Sequence, residues 1–178
     1  MKKVKVQGKE FTELVAAEDI EKRIEEMAAE INRDYRGENV IFLGILNGAF
    51  LFAASLFKKI TLDAMISFVK LASYEGTSSS GFIKELIGWN EDIKGKNIII
   101  IEDIVDTGAT LERIIDEVKI RKAGSVKVAT LLFKPEAYKK SIPLDYVGFR
   151  IPNNYVIGYG LDYEGYGRNL PSVYKMVE

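Results

Sequence analysis

Asn97-Ile98-Ile99-Ile100-Ile101-Glu102-Asp103-Ile104-Val105-Asp106-Thr107-Gly108-Ala109-Thr110-Leu111 is the stretch on which the reading of this chain turns. Its run of isoleucines is the most β-prone in the sequence, because branched side chains suit a pleated surface packed on both sides. After Gly108 the apolar positions Leu111, Ile114, Ile115 and Val118 return to helical period. A buried parallel strand handing over to a helix is therefore expected, and ligands of open parallel sheets bind beyond the carboxyl ends of such strands. Two adjacent acids stand there, then a third, then Thr-Gly-x-Thr at the start of the helix. Successive backbone N–H groups at a helix start, flanked by hydroxyls and a glycine that lets the backbone come close, make a nest for a phosphate. Acids beside such a nest suggest Mg2+ or ribose hydroxyls. Taken singly, Glu102 and Asp103 read equally as solvated strand-end charges, and Thr107 or Thr110 as an N-cap.

The alternation continues outward. From Glu18 to Tyr35 the residues Ile20, Ile24, Met27, Ile31 and Tyr35 recur at three- and four-residue spacing, with Glu18-Lys22 and Asp19-Arg23 as favourable pairs on the exposed side. Val40 to Leu46 is an unbroken apolar run that stops at Asn47-Gly48, and a helical stretch from Ala49 to Lys58 follows. A mixed apolar segment, Leu62 to Leu71, leads into the low-complexity stretch Ser73 to Gly81, read as a mobile loop. Gly124 is expected to end the helix that starts at Gly108, and Val126 to Phe133 and Tyr146 to Phe149 read as two further strands. Strand and helix alternate as in an α/β fold with a central parallel sheet flanked by helices. The tail from Ile151 to Glu178, rich in Tyr and Gly, is expected to cap the sheet without forming a second domain.

Composition narrows the chemistry. The chain has 178 residues, 47% apolar and 29% charged, a formal net charge of -1, and neither Cys nor His. That is the size and balance of one globular domain. Disulfides, thiolate nucleophiles, Ser-His-Asp triads and the usual zinc sites are excluded, so acid-base work falls to carboxylate, Lys or Tyr. No basic stripe offers itself to nucleic acid, and a small-molecule partner is expected. Val4 to Thr12 is no signal-peptide core and no apolar run approaches a membrane span, which points to the cytoplasm.

Acid-acid-apolar-apolar-Asp-Thr-Gly-x-Thr behind an isoleucine run resembles the phosphoribosyl pyrophosphate signature of type I phosphoribosyltransferases. Other phosphate motifs do not fit: Gly88 to Lys96 has the wrong spacing for a Walker A loop, and Gly158-Tyr159-Gly160 lacks the third Gly of a dinucleotide fingerprint. From about Val40 onward the chain is similar to hypoxanthine-guanine phosphoribosyltransferases in the order of its motifs. The resemblance implies the type I phosphoribosyltransferase fold, with a core of about residues 18–150 and a small hood formed from the chain ends, about 1–17 and 151–178. It implies transfer of a 5-phosphoribosyl group to hypoxanthine or guanine with Mg2+, in a homodimer or homotetramer for which Phe50 to Phe57 could supply an interface.

Residue by residue, Leu46-Asn47-Gly48 resembles the pyrophosphate loop, whose first peptide bond in the family is often a non-proline cis bond. Many members carry Lys or Arg where this chain has Asn47. Ser73-Tyr74 resembles the start of a lid over the reacting centre. Glu102 and Asp103 would address ribose hydroxyls and hydrated metal. Backbone and hydroxyls of Thr107, Gly108, Ala109, Thr110 and Leu111 would hold the 5-phosphate. Lys134 matches the donor to the purine 6-oxo group, Tyr155 a ring that stacks on the purine, and Val156 a backbone contact to the base. Asp162 matches a residue near Mg2+, and Arg168 the pyrophosphate-binding Arg. Asp106 is the candidate general base, since its carboxylate could take the proton from purine N7 and the chain has no His. Two alternatives are carried forward: a phosphoribosyltransferase for orotate, uracil or adenine, and a non-catalytic nucleotide-binding regulator of the same fold.

Overall fold

The computed structural model describes residues 2–71, 85–87 and 91–177. Its main sheet has six strands in the order β5-β4-β3-β6-β7-β8. These are β3 (Val40–Ile45), β4 (Ala64–Leu71), β5 (Glu85–Ile87), β6 (Asn97–Val105), β7 (Ser125–Phe133) and β8 (Tyr146–Arg150). Every pairing is parallel except that of β4 with β5. Helices α1 (Ala17–Asp34) and α2 (Phe50–Phe57) pack on one face, and α3 (Ala109–Ile120) on the other. β3 is buried along its whole length, as its unbroken apolar run requires of a strand covered on both sides.

The smaller sheet, in the order β1-β2-β10-β9, joins the two ends of the chain: β1 (Lys3–Val6), β2 (Lys9–Val15), β9 (Val156–Ile157) and β10 (Val173–Met176). All its pairings are antiparallel, with Met176 opposite Phe11 and Val156 opposite Lys175. Phe11, Ile157 and Tyr174 form its own small core. The hood is tied down by the Ser172 hydroxyl, which accepts from the Ala17 N–H at 3.1 Å and donates to Glu13 at 2.9 Å. The Tyr159 hydroxyl adds a second tie, donating to Ser55 of α2 at 2.9 Å.

Two expectations need correction. β6 does not stop at Ile101 but runs on to Val105, so Glu102 and Asp103 belong to the strand and not to its solvated end. Helix α3 ends at Ile120, and Gly124 sits beyond it, where a Cβ would come within 2.7 Å of the Gly95 carbonyl oxygen. Of the Phe50 to Phe57 stretch, Phe52, Ala53 and Leu56 are buried in the chain's own core, while Phe50 is exposed. The Ser73-Tyr74 lid lies outside the described residues.

Candidate active site

Chain order places the site. From β3 the path goes first to β4 on one side, then returns to β6 on the other, so the direction of winding reverses between β3 and β6. A crevice opens where neighbouring connections leave in opposite directions. At its lip stand Leu46-Asn47-Gly48 after β3 and the acids of β6. A cavity of about 340 Å3 lies there, lined by Asn47, Gly48, Glu102, Asp103, Thr110, Arg113, Asp162 and Arg168 among others. A second, of about 260 Å3, is lined by Glu102 to Leu111, and the two share Glu102, Asp103 and Thr110.

The second cavity is formed by the stretch in which the sequence leads one to expect a phosphate nest, with one change of part. Neither threonine is the N-cap of α3: that position is Gly108, at φ 84, with no side-chain cap bond. A left-handed conformation there favours glycine, which carries no Cβ penalty. The Thr107 hydroxyl accepts only a long bond, 3.4 Å, from the Ala109 N–H. The first intrahelical acceptor is the Gly108 carbonyl, bonded by the Glu112 N–H at 3.0 Å, so the N–H groups of the first turn point out of the helix end without an intrahelical partner.

The acids are under electrostatic load. Glu102 is only 7% exposed, and its Oε2 has no hydrogen-bond partner. Burial, with the Asp103 charge beside it, holds its carboxyl well above the usual range. Burial also lifts Asp103 to about 6, although its Oδ1 accepts from the Ile104 N–H at 2.8 Å. A solvated strand-end role is therefore ruled out for Glu102. The unpartnered Glu102 Oε2 leaves room for a partner from outside, such as sugar hydroxyls or a hydrated cation.

The two loops meet tightly. The Leu46-Asn47 peptide bond is cis. A Cβ on Gly48 would fall 1.5 Å from Asp103 Oδ2, and one on Gly160 would fall 2.0 Å from the Gly48 carbonyl oxygen. Only glycines let β3, β6 and the hood close against one another here. In the hood Arg168 donates from Nη2 to Asp162 Oδ1 and from Nη1 to the Gly160 carbonyl, both at 2.7 Å. Asp162 Oδ2 also accepts from the Gly165 N–H at 2.7 Å.

Lys134 follows directly on β7 and is buried. Its Nζ donates to Asp106 Oδ2 at 2.8 Å, the lysine side chain being 10% exposed and the aspartate 42%. Tyr155 presents a half-exposed ring, held by its hydroxyl donating to the Asp162 carbonyl at 2.9 Å and by an edge contact with Tyr163. Partial burial, then the Asp162 charge, raises its phenol above the ordinary value. Val156 is buried in β9 beside it. The sequence reading missed Arg113, since a lone arginine on an amphipathic helix carries no signal that separates it from a solvated one.

A magnesium ion is compatible with these donors. Among the described residues no group of three or more Asp and Glu is gathered closely enough to hold a metal by itself. Magnesium does not call for such a group, since it keeps several waters and takes one or two carboxylates plus substrate oxygens. Glu102 Oε2, buried without a partner, is the group such an ion or its waters would satisfy.

Residues 10–164 match the family model for the phosphoribosyl transferase domain. The chain is 44% identical over 161 residues to the hypoxanthine-guanine phosphoribosyltransferase of Streptococcus pneumoniae R6, covering 90% of this chain and 89% of that one. It is 39% identical to that of Aquifex aeolicus, covering 97% and 98%. It is also 42% identical to the bifunctional protein TilS/HprT of Listeria innocua, of whose length it spans only 25%. Among solved structures, the hypoxanthine-guanine phosphoribosyltransferase of Bacillus anthracis superposes with a TM-score of 0.86 at 37% identity, covering 93% and 96%. The hypoxanthine phosphoribosyltransferase of Staphylococcus aureus gives 0.87 at 38%, covering 93% and 90%.

Proposed function

Since the chain belongs to the phosphoribosyl transferase domain family, and within it to the hypoxanthine-guanine phosphoribosyltransferases, we propose that it joins hypoxanthine or guanine through N9 to the ribose of phosphoribosyl pyrophosphate, releasing pyrophosphate. The observation that carries this reading is the contact between Lys134 and Asp106. It sets a cationic donor beside an anionic acceptor, and the edge of a 6-oxopurine offers the complement: an oxygen acceptor at C6 beside an N7–H donor.

The chemistry follows from what each group can do. The bond from the anomeric carbon to pyrophosphate breaks as the bond to N9 forms, with positive charge building on the sugar between them. Asp106 takes the N7 proton, so that N9 can donate its electron pair without leaving a cationic base. Lys134 shares its protons between Asp106 and the 6-oxo group. With adenine it would face a 6-amino donor, and two donors opposed in a buried site cost several factors of ten in rate. Tyr155 stacks on the base, while Val156 meets it through the backbone. Thr107 to Leu111 hold the 5-phosphate, and with it the anomeric carbon, in line with N9.

Glu102 and Asp103 face the ribose hydroxyls. Asn47, Gly48 and Arg168 receive the departing pyrophosphate. Asp162 would hold magnesium, with Glu102 and Asp103 reaching it through water; when bound, magnesium neutralises charge on the leaving group. The cytoplasm and a homo-oligomeric state complete the reading.

The test is the absorbance change on mixing the protein with Mg2+, phosphoribosyl pyrophosphate and, in turn, hypoxanthine, guanine, xanthine, adenine, orotate and uracil. Turnover of the oxopurines, little of adenine, and a loss of at least about 100-fold in kcat for Asp106→Asn are expected, from the usual worth of general-base catalysis. Turnover of orotate or uracil alone would move the base. Tight nucleotide binding with no turnover of any base would point to the regulatory alternative.

A further inference from the structure

Arg113 stands three residues after Thr110 on α3, so the two side chains rise on the same side of the helix, and both line the cavity that holds Asn47, Gly48, Asp162 and Arg168. The two guanidinium groups of that cavity are not equivalent. Arg168 is committed, with one nitrogen on Asp162 and the other on the Gly160 carbonyl. Arg113 is exposed and makes no hydrogen bond or ion pair with any described residue. Three carboxyls share the walls, and Arg168 already balances Asp162. The Asn47 loop contributes amide groups and no cation. Magnesium, where bound, meets part of the charge of a pyrophosphate group entering this cavity, and Arg168 cannot match the rest while it holds Asp162.

We propose that Arg113 is the second cation for the pyrophosphate group of phosphoribosyl pyrophosphate, reaching it from α3 and supplying the charge that the Asn47 loop lacks. The inference rests on the transferase reading above and concerns how this chain grips one end of that substrate. Arg113 is built for the task by its freedom: no partner among the described residues has to be given up when the substrate arrives. Its guanidinium can take two oxygens at once, which a lysine cannot.

The test compares wild type with Arg113→Met, Arg113→Lys and Arg113→Met combined with Asn47→Lys. A charged hydrogen bond lost on binding predicts a KM for phosphoribosyl pyrophosphate at least about 10-fold higher in Arg113→Met. The inhibition constant of inorganic pyrophosphate should rise by a similar factor, while the KM for hypoxanthine stays within about twofold. Arg113→Lys should recover part of the loss, and Asn47→Lys added to Arg113→Met should recover part of it from the other side of the cavity. The melting temperature should not move, because the side chain is exposed and unpaired. An unchanged phosphoribosyl pyrophosphate KM and pyrophosphate inhibition constant in Arg113→Met, beside an active wild type, would overturn the role. So would equal losses for both substrates accompanied by a lower melting temperature. A wild type that turns over no base would instead overturn the transferase reading itself.

Discussion

Lys134→Met separates recognition of the base from stability of the fold. Methionine keeps the apolar stem and removes the charged nitrogen that lies 2.8 Å from Asp106. Two effects on stability oppose each other: an ammonium 90% withdrawn from water no longer has to be desolvated, and an ion pair is lost. Asp106, 42% exposed, can be rehydrated when its partner goes, so the net change should lie within about 1 kcal/mol. Activity should respond more strongly. A hydrogen bond from a charged donor to the 6-oxo group is worth about 1.5–3 kcal/mol, which corresponds to roughly 10- to 150-fold in kcat/KM for hypoxanthine. Adenine should lose nothing, since the clash with its amino group disappears, so the preference for hypoxanthine should shrink by at least the same factor. Steady-state rates with both bases, beside urea denaturation of both proteins, measure all three quantities. If the preference keeps its wild-type value in a folded variant, Lys134 does not read the 6-position and the argument from its contact with Asp106 is wrong. The Asp106→Asn and Lys134→Met losses should also fail to add in the double variant, because the two groups touch.

Gly48→Ala should push the Asp103 carboxylate out of the crevice, since the new Cβ would fall on Oδ2; a rise of at least about 10-fold in the phosphoribosyl pyrophosphate KM, read by initial rates, follows from losing one ribose-facing group. Tyr155→Ala should raise the KM for hypoxanthine by roughly 5- to 100-fold, the worth of one stacked base, and leave that for phosphoribosyl pyrophosphate near its wild-type value. Tyr159→Phe should behave oppositely in neutral and alkaline solution. Burial lifts the Tyr159 phenol from 10.0 to about 12, so between these values the unfolded chain sheds a proton that the folded one keeps, and wild-type stability falls as pH rises through that window. Phenylalanine cannot titrate; it should cost about 1 kcal/mol near pH 8, through the lost bond to Ser55, and be the more stable variant by pH 12 in paired denaturation curves.

The parallel sheet was legible because β3 and β6 are covered on both faces, which leaves unbroken apolar runs that local sequence reports directly. The hood was legible only as a composition. Its strand β9 has two residues, too few to show any period, and its partners arrive from the far end of the chain. At the site, the phosphate nest could be read from one contiguous stretch, since a strand end, a glycine and a helix start make it without outside help. The bounds of β6 were missed because Glu102 and Asp103 look like the end of a strand; what keeps them inside it is the neighbouring β7, with Thr130 opposite Glu102. The Lys134-Asp106 pair joins residues 28 apart and belongs to the packing of two strands, so spacing could not announce it. Arg113 has no sequence signature at all, because what distinguishes it is the absence of a partner.

The hood has a consequence for how the molecule comes into being. A ribosome delivers β1 and β2 first and β10 last, and the bond from Ser172 to Glu13 spans 159 residues. During synthesis the edge of β2 that receives β10 therefore waits unpaired while the main sheet has every strand it needs. Contacts so distant in the chain form late, because the loop between them must be closed first. Tyr155, Asp162 and Arg168, which hang on β9 and the turns before β10, come to rest only when that last pairing forms. On the proposed reading, a nascent chain halted before Val173 would own a finished phosphate nest and no wall for the base: it could grip one substrate and do nothing with it.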